Sequence, residues 1–444
     1  MTPQAHQRYE KDVPVLGSYD VLVCGAGPAG IGAAVAAGRA GARTLLVERM
    51  NCVGGMGTCT RVNTWCDTQG GAVLDDLEAR VGDLDKARRR FNPQGHIYKK
   101  GRVTLHGETV KAVALRMIRE AGADVLFGTT AAEALVEDGC VQGVCLANKG
   151  GLALARAKAV VDATADADVA TSAGAEILKG DPDDGRVMHV NFMFSIGGID
   201  REKAEREALP EEELIRRIQK AHRDGRLHAP PGVFRPKPEL FPYHAPEKKL
   251  ALGSWEIEKV DCSDPLAVSD LLVECQLIAL KLIEFCRAEL PGHERCEIHR
   301  FWDVLGTRES RRIAGRYLLT REDVLAGRKF DDGITQACFF IDFHDSPPGR
   351  TIPYDIEFKR QNTPPEGDWY EVPYRCLLPK QVTGLLAAGR CISVSRDALA
   401  SLRVMPSCMY LGQAAGTAAA MAAAAGILPH EVDGTELKKR VITD

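Results

Sequence analysis

The residues with the plainest chemical reading form a glycine pattern near the start of the chain. Gly25, Gly27 and Gly30 follow G-x-G-x-x-G spacing within Gly25-Ala26-Gly27-Pro28-Ala29-Gly30. Gly25 suits a tight turn, Gly27 lets a backbone approach a pyrophosphate, and Gly30 allows a helix to pack closely on a strand. A helix starting there offers free N–H groups and a positive dipole end to a diphosphate. Glu48, which closes the next apolar run, can accept from both hydroxyls of a ribose. Beyond it, Gly54, Gly55 and Gly57 lie in the loop Met50–Thr58. Closely spaced glycines expose backbone N–H groups and admit a ligand.

These residues need particular elements around them. Tyr19–Cys24 is a short apolar run ending at Gly25, as a buried parallel strand does. The Ala-rich stretch to Arg39 reads as a helix and Thr44–Val47 as a second strand, completing a β-α-β unit. With the terminal acid, the pattern predicts dinucleotide binding. Further on, Leu105–Ala121 reads as a helix and Asp124–Phe127 as a strand. Strand-like pieces surround Gly139 and Gly143, and Ala159–Asp162 is another apolar run ending in an acid. From about Asp181 the character changes. Asn191–Ser195 reads as a strand, Glu202–Arg226 as one charged, solvated helix, and Pro265–Leu290 as a long helix. The proline-rich stretches Ala229–Pro246 and Asp345–Pro365 predict long loops. Gly384–Gly389 returns to the buried-strand style, and Met409–Ala425 to the small-residue helix.

The composition bounds the class. The chain has 444 residues, 45% hydrophobic and 27% charged, enough for a sizeable core and too apolar for a disordered chain. Net charge is −4 and aromatics are 6%, which disfavours nucleic acid and anionic membrane as partners. No secretory pattern opens the sequence, and no segment carries 18 clean apolar residues. Fourteen scattered cysteines without a C-x-x-C pair suggest reduced, cytoplasmic usage.

Several segments carry a family resemblance. Val53-Gly54-Gly55-Met56-Gly57-Thr58, Val161–Asp166, Leu385–Arg390 and Gly412–Gly416 resemble the FAD-dependent oxidoreductases of the glutathione-reductase-like Rossmann superfamily. More narrowly, Gly306–Ile313, Leu318–Asp323, Pro373–Leu377 and Arg403–Pro406 resemble a bacterial family of FAD-dependent oxidoreductases. The likeness runs from Tyr19 to Ala425. It implies FAD held by Gly25, Gly27, Pro28, Ala29, Gly30, Glu48 and Arg49. Gly54, Gly55, Met56 and Gly57 would lie near the pyrophosphate or flavin, with Ala163 beside them. Gly389-Arg390 and Gly412-Gln413 would close on the flavin end. One departure is Ala165, where the family has Gly after Asp-Ala-Thr; an adjusted turn is expected there. Cys52 and Cys59 do not match the redox disulfide of the glutathione reductases, which disfavours disulfide reduction.

Arginines form the next chemical signal. Arg308, Arg311, Arg312 and Arg316 crowd one stretch, and Arg403 lies in the C-terminal motif. Arginine forks bind carboxylates or phosphates bidentately. On a helix, positions 308, 311, 312 and 315 would share a face. Arg311 and Arg403 are candidate substrate anchors and Arg308 a candidate catalytic group; ion pairing to Glu309, Asp303 or the FAD domain is the equal alternative. Oxidising a C–H bond at a flavin needs a base for the proton. His344 leads the candidates, ahead of Tyr374, His189 and His244. His293, Glu294, Glu297 and His299 match no metal-ligand spacing, so no metal is expected. Cys391 and Cys408 read as buried thiols before flavin attachment points.

The expected architecture is α/β: a Rossmann-like FAD domain with an inserted mixed α+β substrate domain. The boundaries are 15–180 plus 375–430 for the FAD domain and 181–374 for the substrate or cap domain. The expected reaction moves a hydride between a small organic substrate, anionic on the arginine reading, and flavin N5. Because one nucleotide fingerprint is present, an external electron acceptor or donor must complete the cycle. A flavin-dependent C=C reductase, a monooxygenase and a non-catalytic dinucleotide sensor are the alternatives. Association into a homo-oligomer is left open.

Overall fold

The computed structural model describes residues 10–60, 62–66, 69–84, 88–89, 103–228, 243–244, 251–344 and 356–442. Most of both proline-rich stretches, and the side chain of His244, lie outside the described residues. The strands used below are β1 (Val15–Cys24), β2 (Thr44–Val47), β3 (Asp124–Leu126), β4 (Thr130–Glu137), β5 (Cys140–Asn148), β6 (Gly151–Asp162), β7 (Val190–Gly197), β8 (Ala251–Ile257), β9 (Glu297–Phe301) and β10 (Leu385–Ala387). The helices are α1 (Pro28–Arg39), α2 (Met56–Cys59), α3 (Gly107–Glu120), α4 (Pro265–Glu289), α5 (Arg396–Leu402) and α6 (Met405–Ala425).

The chain divides into two compact units, residues 186–309 and nearly all the rest. Residues 310–374, expected in the substrate or cap domain, cluster with the larger unit. That larger unit is organised by a seven-stranded sheet in the order β3-β2-β1-β6-β5-β4, with β10 also paired to β6. Strands β3, β2, β1, β6 and β10 run parallel. Val21 to Cys24 have neighbours on both sides and no exposed surface, which is why the run is apolar without alternation. In register, Cys24 lies beside Val47 and Asp162, Val47 beside Leu126, and Asp162 beside Ala387. The carboxyl ends of all five parallel strands therefore share one edge. In open α/β sheets the ligand crevice lies outside that edge. The arrangement is Rossmann-like.

Helices α1 and α6 cross without room for side chains. A methyl group on Gly412 would sit 1.9 Å from the Ala29 carbonyl oxygen, on Gly416 2.1 Å from that of Ala33, and on Gly32 2.2 Å from that of Met409. The Ala/Gly composition of both segments is thus a packing requirement.

The 186–309 unit is a mixed α+β body. Its sheet is antiparallel, with β7 between β8 and β9. Phe192 and Phe194 on β7 pack with Trp255 and Phe301, over Cys275, Ala279, Leu282 and Cys286 of α4. The charged segment expected as one helix is two, Arg201–Arg206 and Glu211–Arg223. Pro210 separates them, because the residue before a proline resists helical geometry. Among the described residues no helix is long and apolar enough to cross a membrane.

Candidate cofactor and substrate site

The loops leaving the shared sheet edge build a cradle. Gly25 has φ +96°, and a Cβ there would lie 2.5 Å from the Ala163 carbonyl oxygen. A Cβ on Gly30 would lie 1.7 Å from the Gly25 carbonyl, so close helix–strand packing admits no larger residue. At Gly27 nothing lies within 4 Å of that position. This glycine faces open space, where a ligand rather than protein can approach the backbone. Helix α1 starts at Pro28 with no side-chain cap, leaving the N–H groups of its first turn, Ala29 and Gly30 included, for a ligand.

Glu48 braces this loop from below. Its carboxylate accepts from the Ala26 N–H at 2.6 Å and the Met50 N–H at 2.8 Å, and the residue is 9% exposed. The Gly54–Gly57 loop folds over the same point. Gly54 N–H donates to the Ala26 carbonyl at 2.8 Å, and the Cβ position of Gly55 is 3.0 Å from Gly27 Cα. The Cβ position of Gly57 is 3.0 Å from Met405 Sδ and 3.3 Å from the Trp65 ring. The start of α6 therefore closes on the cradle. Arg49 is exposed beside it.

The turn after β6 is held by charge. Asp162 is buried, and its carboxylate accepts from Thr164 N–H and Oγ–H and from Ala170 N–H. Burial still pushes its carboxyl up from the ordinary range, against the pull of those donors. Ala165 and Ala167 have φ +73° and +55°, left-handed values that L-residues adopt at a cost. Arg390 fixes the turn: Nε donates to the Ala165 carbonyl at 3.1 Å and Nη2 to Asp166 at 2.6 Å. Ser310 donates to the same carboxylate.

A second cluster centres on Asp342. Its carboxylate lies 3.1 Å from His344 Nε2 and 3.3 Å from Arg403 Nη2, which also donates to the Asp342 carbonyl at 3.0 Å. Arg403 caps α5 and stands two residues before Met405, next to the cradle. Its Nε–H is buried and meets no acceptor among the described residues; neither does the indole N–H of Trp65.

The model for the family described as "FAD dependent oxidoreductase" matches residues 20–441. The chain belongs to this family. As an FAD-dependent oxidoreductase it is an enzyme with FAD as cofactor. No curated protein matches it. Among solved structures, a geranylgeranyl bacteriochlorophyll reductase-like protein from Thermoplasma acidophilum is similar at 13% identity and TM-score 0.45, over 96% of this chain and 83% of its own. The myxobacterial chondrochloren halogenase CndH is similar at 15% and 0.43, over 96% and 78%. OxyS anhydrotetracycline hydroxylase from Streptomyces rimosus is similar at 16% and 0.41, over 68% and 54%. At this level of likeness they speak to neither substrate nor reaction.

The residues present fit FAD: an open face at Gly27, an uncapped helix start, and the Trp65 indole N–H against the Gly57 loop, buried and without an acceptor among the described residues. Other expected positions differ. The arginine-rich segment is extended, with only Arg311–Ile313 as a short strand, so its side chains share no helical face. Arg308 belongs to the 186–309 unit, where it pairs with Glu256 and donates to the His189 carbonyl. Arg311 is held by the Asp166 carbonyl and the Asp168 carboxylate. Tyr374 is 2% exposed, and its hydroxyl donates to the Pro429 carbonyl at 2.6 Å. Burial pushes that phenol far above its usual range, so it is no acid for a substrate. Gly412 and Gln413 sit two turns inside a helix that starts at Met405, not at its free N–H end. Gly412 serves packing, and Gln413 accepts from Val73 N–H at 3.0 Å. His189 is buried in the 186–309 unit. Cys391 and Cys408 are buried, and burial pushes the Cys408 thiol up to about 12. No group of three or more metal-ligating side chains occurs among the described residues. Sequence reasoning missed Asp342, Trp65 and the true start of α6. Pro406 at the second helical position was the signal for the last.

Proposed function

We propose that this enzyme moves a hydride between a small carboxylate-bearing organic substrate and flavin N5, with Arg403 as anion anchor and His344 as proton acceptor. The observation that carries this is Asp342 holding both groups, with Arg403 at the end of α5 and two residues before Met405, the residue of α6 that meets the Gly57 loop. When bound, FAD supplies the two-electron redox chemistry. Arg403 keeps one buried N–H without an acceptor, which a substrate carboxylate satisfies. The Asp342 contact orients the His344 ring, which takes the proton from the substrate as general base. Arg308, Arg311 and Tyr374 have partners of their own and are given no catalytic or anchoring part. The Gly25–Gly30 turn, Glu48 and the Gly54–Gly57 loop hold the dinucleotide.

The test is anaerobic bleaching of the flavin band by a panel of hydroxy and amino carboxylates and their uncharged amides. Carboxylates are expected to bleach and amides not. Arg403→Met should raise KM at least tenfold with kcat little changed. His344→Gln should lower kcat by about 10²–10⁴, the usual worth of a general base. Bleaching that ignores the carboxylate, or an Arg403→Met enzyme with unchanged KM, overturns this reading.

A further inference from the structure

Two cysteines meet on the loop between β2 and α2. Cys52 follows the end of β2 and Cys59 is the last residue of α2. Their sulfurs are 3.4 Å apart. A disulfide needs about 2.05 Å, so the sulfurs must close by only about 1.4 Å, within reach of side-chain rotation. The backbone between them is already drawn into a ring, since Thr58 Oγ donates to the Val53 carbonyl at 2.7 Å.

The two thiols are unequal. Cys52 is partly exposed, whereas Cys59 is 2% exposed. Helix α3 abuts this loop, with the Cβ position of Gly107 3.4 Å from the Gly57 carbonyl oxygen. From α3 the Lys111 ammonium acts electrostatically on both sulfurs. Burial and the neighbouring sulfur push Cys59 up to about 12, so it is not the thiol that reacts first. The other close pair, Cys286 and Cys296, is fully buried, beyond reach of a soluble reagent.

We propose that Cys52 and Cys59 form a dithiol–disulfide couple that exchanges with small soluble disulfides of the glutathione type. The Cys52 thiolate attacks one sulfur of the small disulfide, forming a mixed disulfide and releasing one thiolate. Cys59 then gives up its proton to solvent and attacks Cys52 Sγ, releasing the second thiolate. The two cysteines lose two electrons and two protons in all, and the small disulfide gains them as two thiols. The couple closes covalently around Gly54, Gly55 and Gly57.

The experiment uses the flavin-loaded protein, reduced, freed of reductant and titrated with oxidised glutathione. Samples are acid-quenched, alkylated with N-ethylmaleimide and peptide-mapped without reduction. The expected result is a peptide linking Cys52 to Cys59, with two alkylatable thiols lost per chain and regained with reduced glutathione. Cys59→Ser should trap a glutathione adduct on Cys52; Cys52→Ser should leave Cys59 unmodified. Failure to form the linked peptide while other thiols react, or a folded, yellow Cys59→Ser protein with no adduct on Cys52, overturns the proposal. The outcome is separable from the cofactor assignment. A chain that links these residues without holding flavin keeps the couple and loses the FAD reading, and a yellow chain without the link does the reverse.

Discussion

Glu48→Gln tests whether the acid at the end of β2 acts on the ligand alone or also on the protein. Both carboxylate oxygens are already engaged by main-chain N–H groups, those of Ala26 and Met50, at 2.6 and 2.8 Å. Glutamine has one acceptor oxygen. Whichever donor keeps it, the other N–H then faces an amide NH₂ in a site that is 9% exposed. A hydrogen bond to a charged group is worth about 1.5–3 kcal/mol, and a buried donor left unmade costs about 1–3 kcal/mol. The two overlap, so the apoprotein should lose about 2–3 kcal/mol. The nucleotide adds a separate loss, since a neutral amide accepts more weakly from a ribose. A further 1.4–3 kcal/mol corresponds to roughly 10–150-fold in FAD affinity. The assay is thermal or urea unfolding of the apoprotein, paired with FAD titration followed by flavin fluorescence. Both stability and affinity should fall. An apoprotein as stable as the original, with weaker FAD binding, would show that Glu48 serves the ribose only and that the bracing argument is wrong.

Other expectations follow from single positions. Ala165→Gly should stabilise the protein by about 0.5–1 kcal/mol in urea unfolding, because relief of φ +73° outweighs the added freedom of the unfolded chain; a lower midpoint contradicts this. Gly412→Ala should part α1 from α6, cost about 1–3 kcal/mol and yield colourless protein on purification, since its methyl would press on the Ala29 carbonyl. Cys408 should resist iodoacetamide at pH 8 in the native state, and mass spectrometry of the flavin peptide fraction should find no adduct on it. Its folded pKa of about 12 exceeds the unfolded thiol's, so the native state binds the extra proton between them. Its contribution is therefore fully present below about pH 8.5 and lost as pH rises towards 12, which pH-dependent unfolding can follow.

The nucleotide half was legible because its constraints are local. A strand buried on both faces, a glycine that must clear its neighbour's carbonyl, and a terminal acid each leave a mark within a few residues. The long helix α4 was legible for the same reason, through its apolar spacing. The arginine stretch misled. Its charges are spaced as on a helix, yet Arg311–Ile313 pairs as a strand with Ile177–Lys179, a partner remote in sequence. Tyr374 misled likewise, since only the folded chain brings the Pro429 carbonyl to its hydroxyl. Asp342 was invisible because only His344 is local to it, whereas Arg403 lies 61 residues further along the chain and meets it only on folding. The boundary at residue 374 followed the return of the buried-strand and small-residue-helix style, whereas contacts carry residues 310–374 to the larger unit.

The crossing of α1 and α6 bears on the birth of the molecule at the ribosome. The glycines of α1 are made long before the helix they fit, and β10 reaches β6 only shortly before that helix. At about 5–20 residues per second, α1 waits on the order of 20–80 s for its partner. Throughout that interval its small-residue face and one side of β6 stay uncovered. Capture of the cofactor, which needs both helices in place, therefore waits for the synthesis of α6.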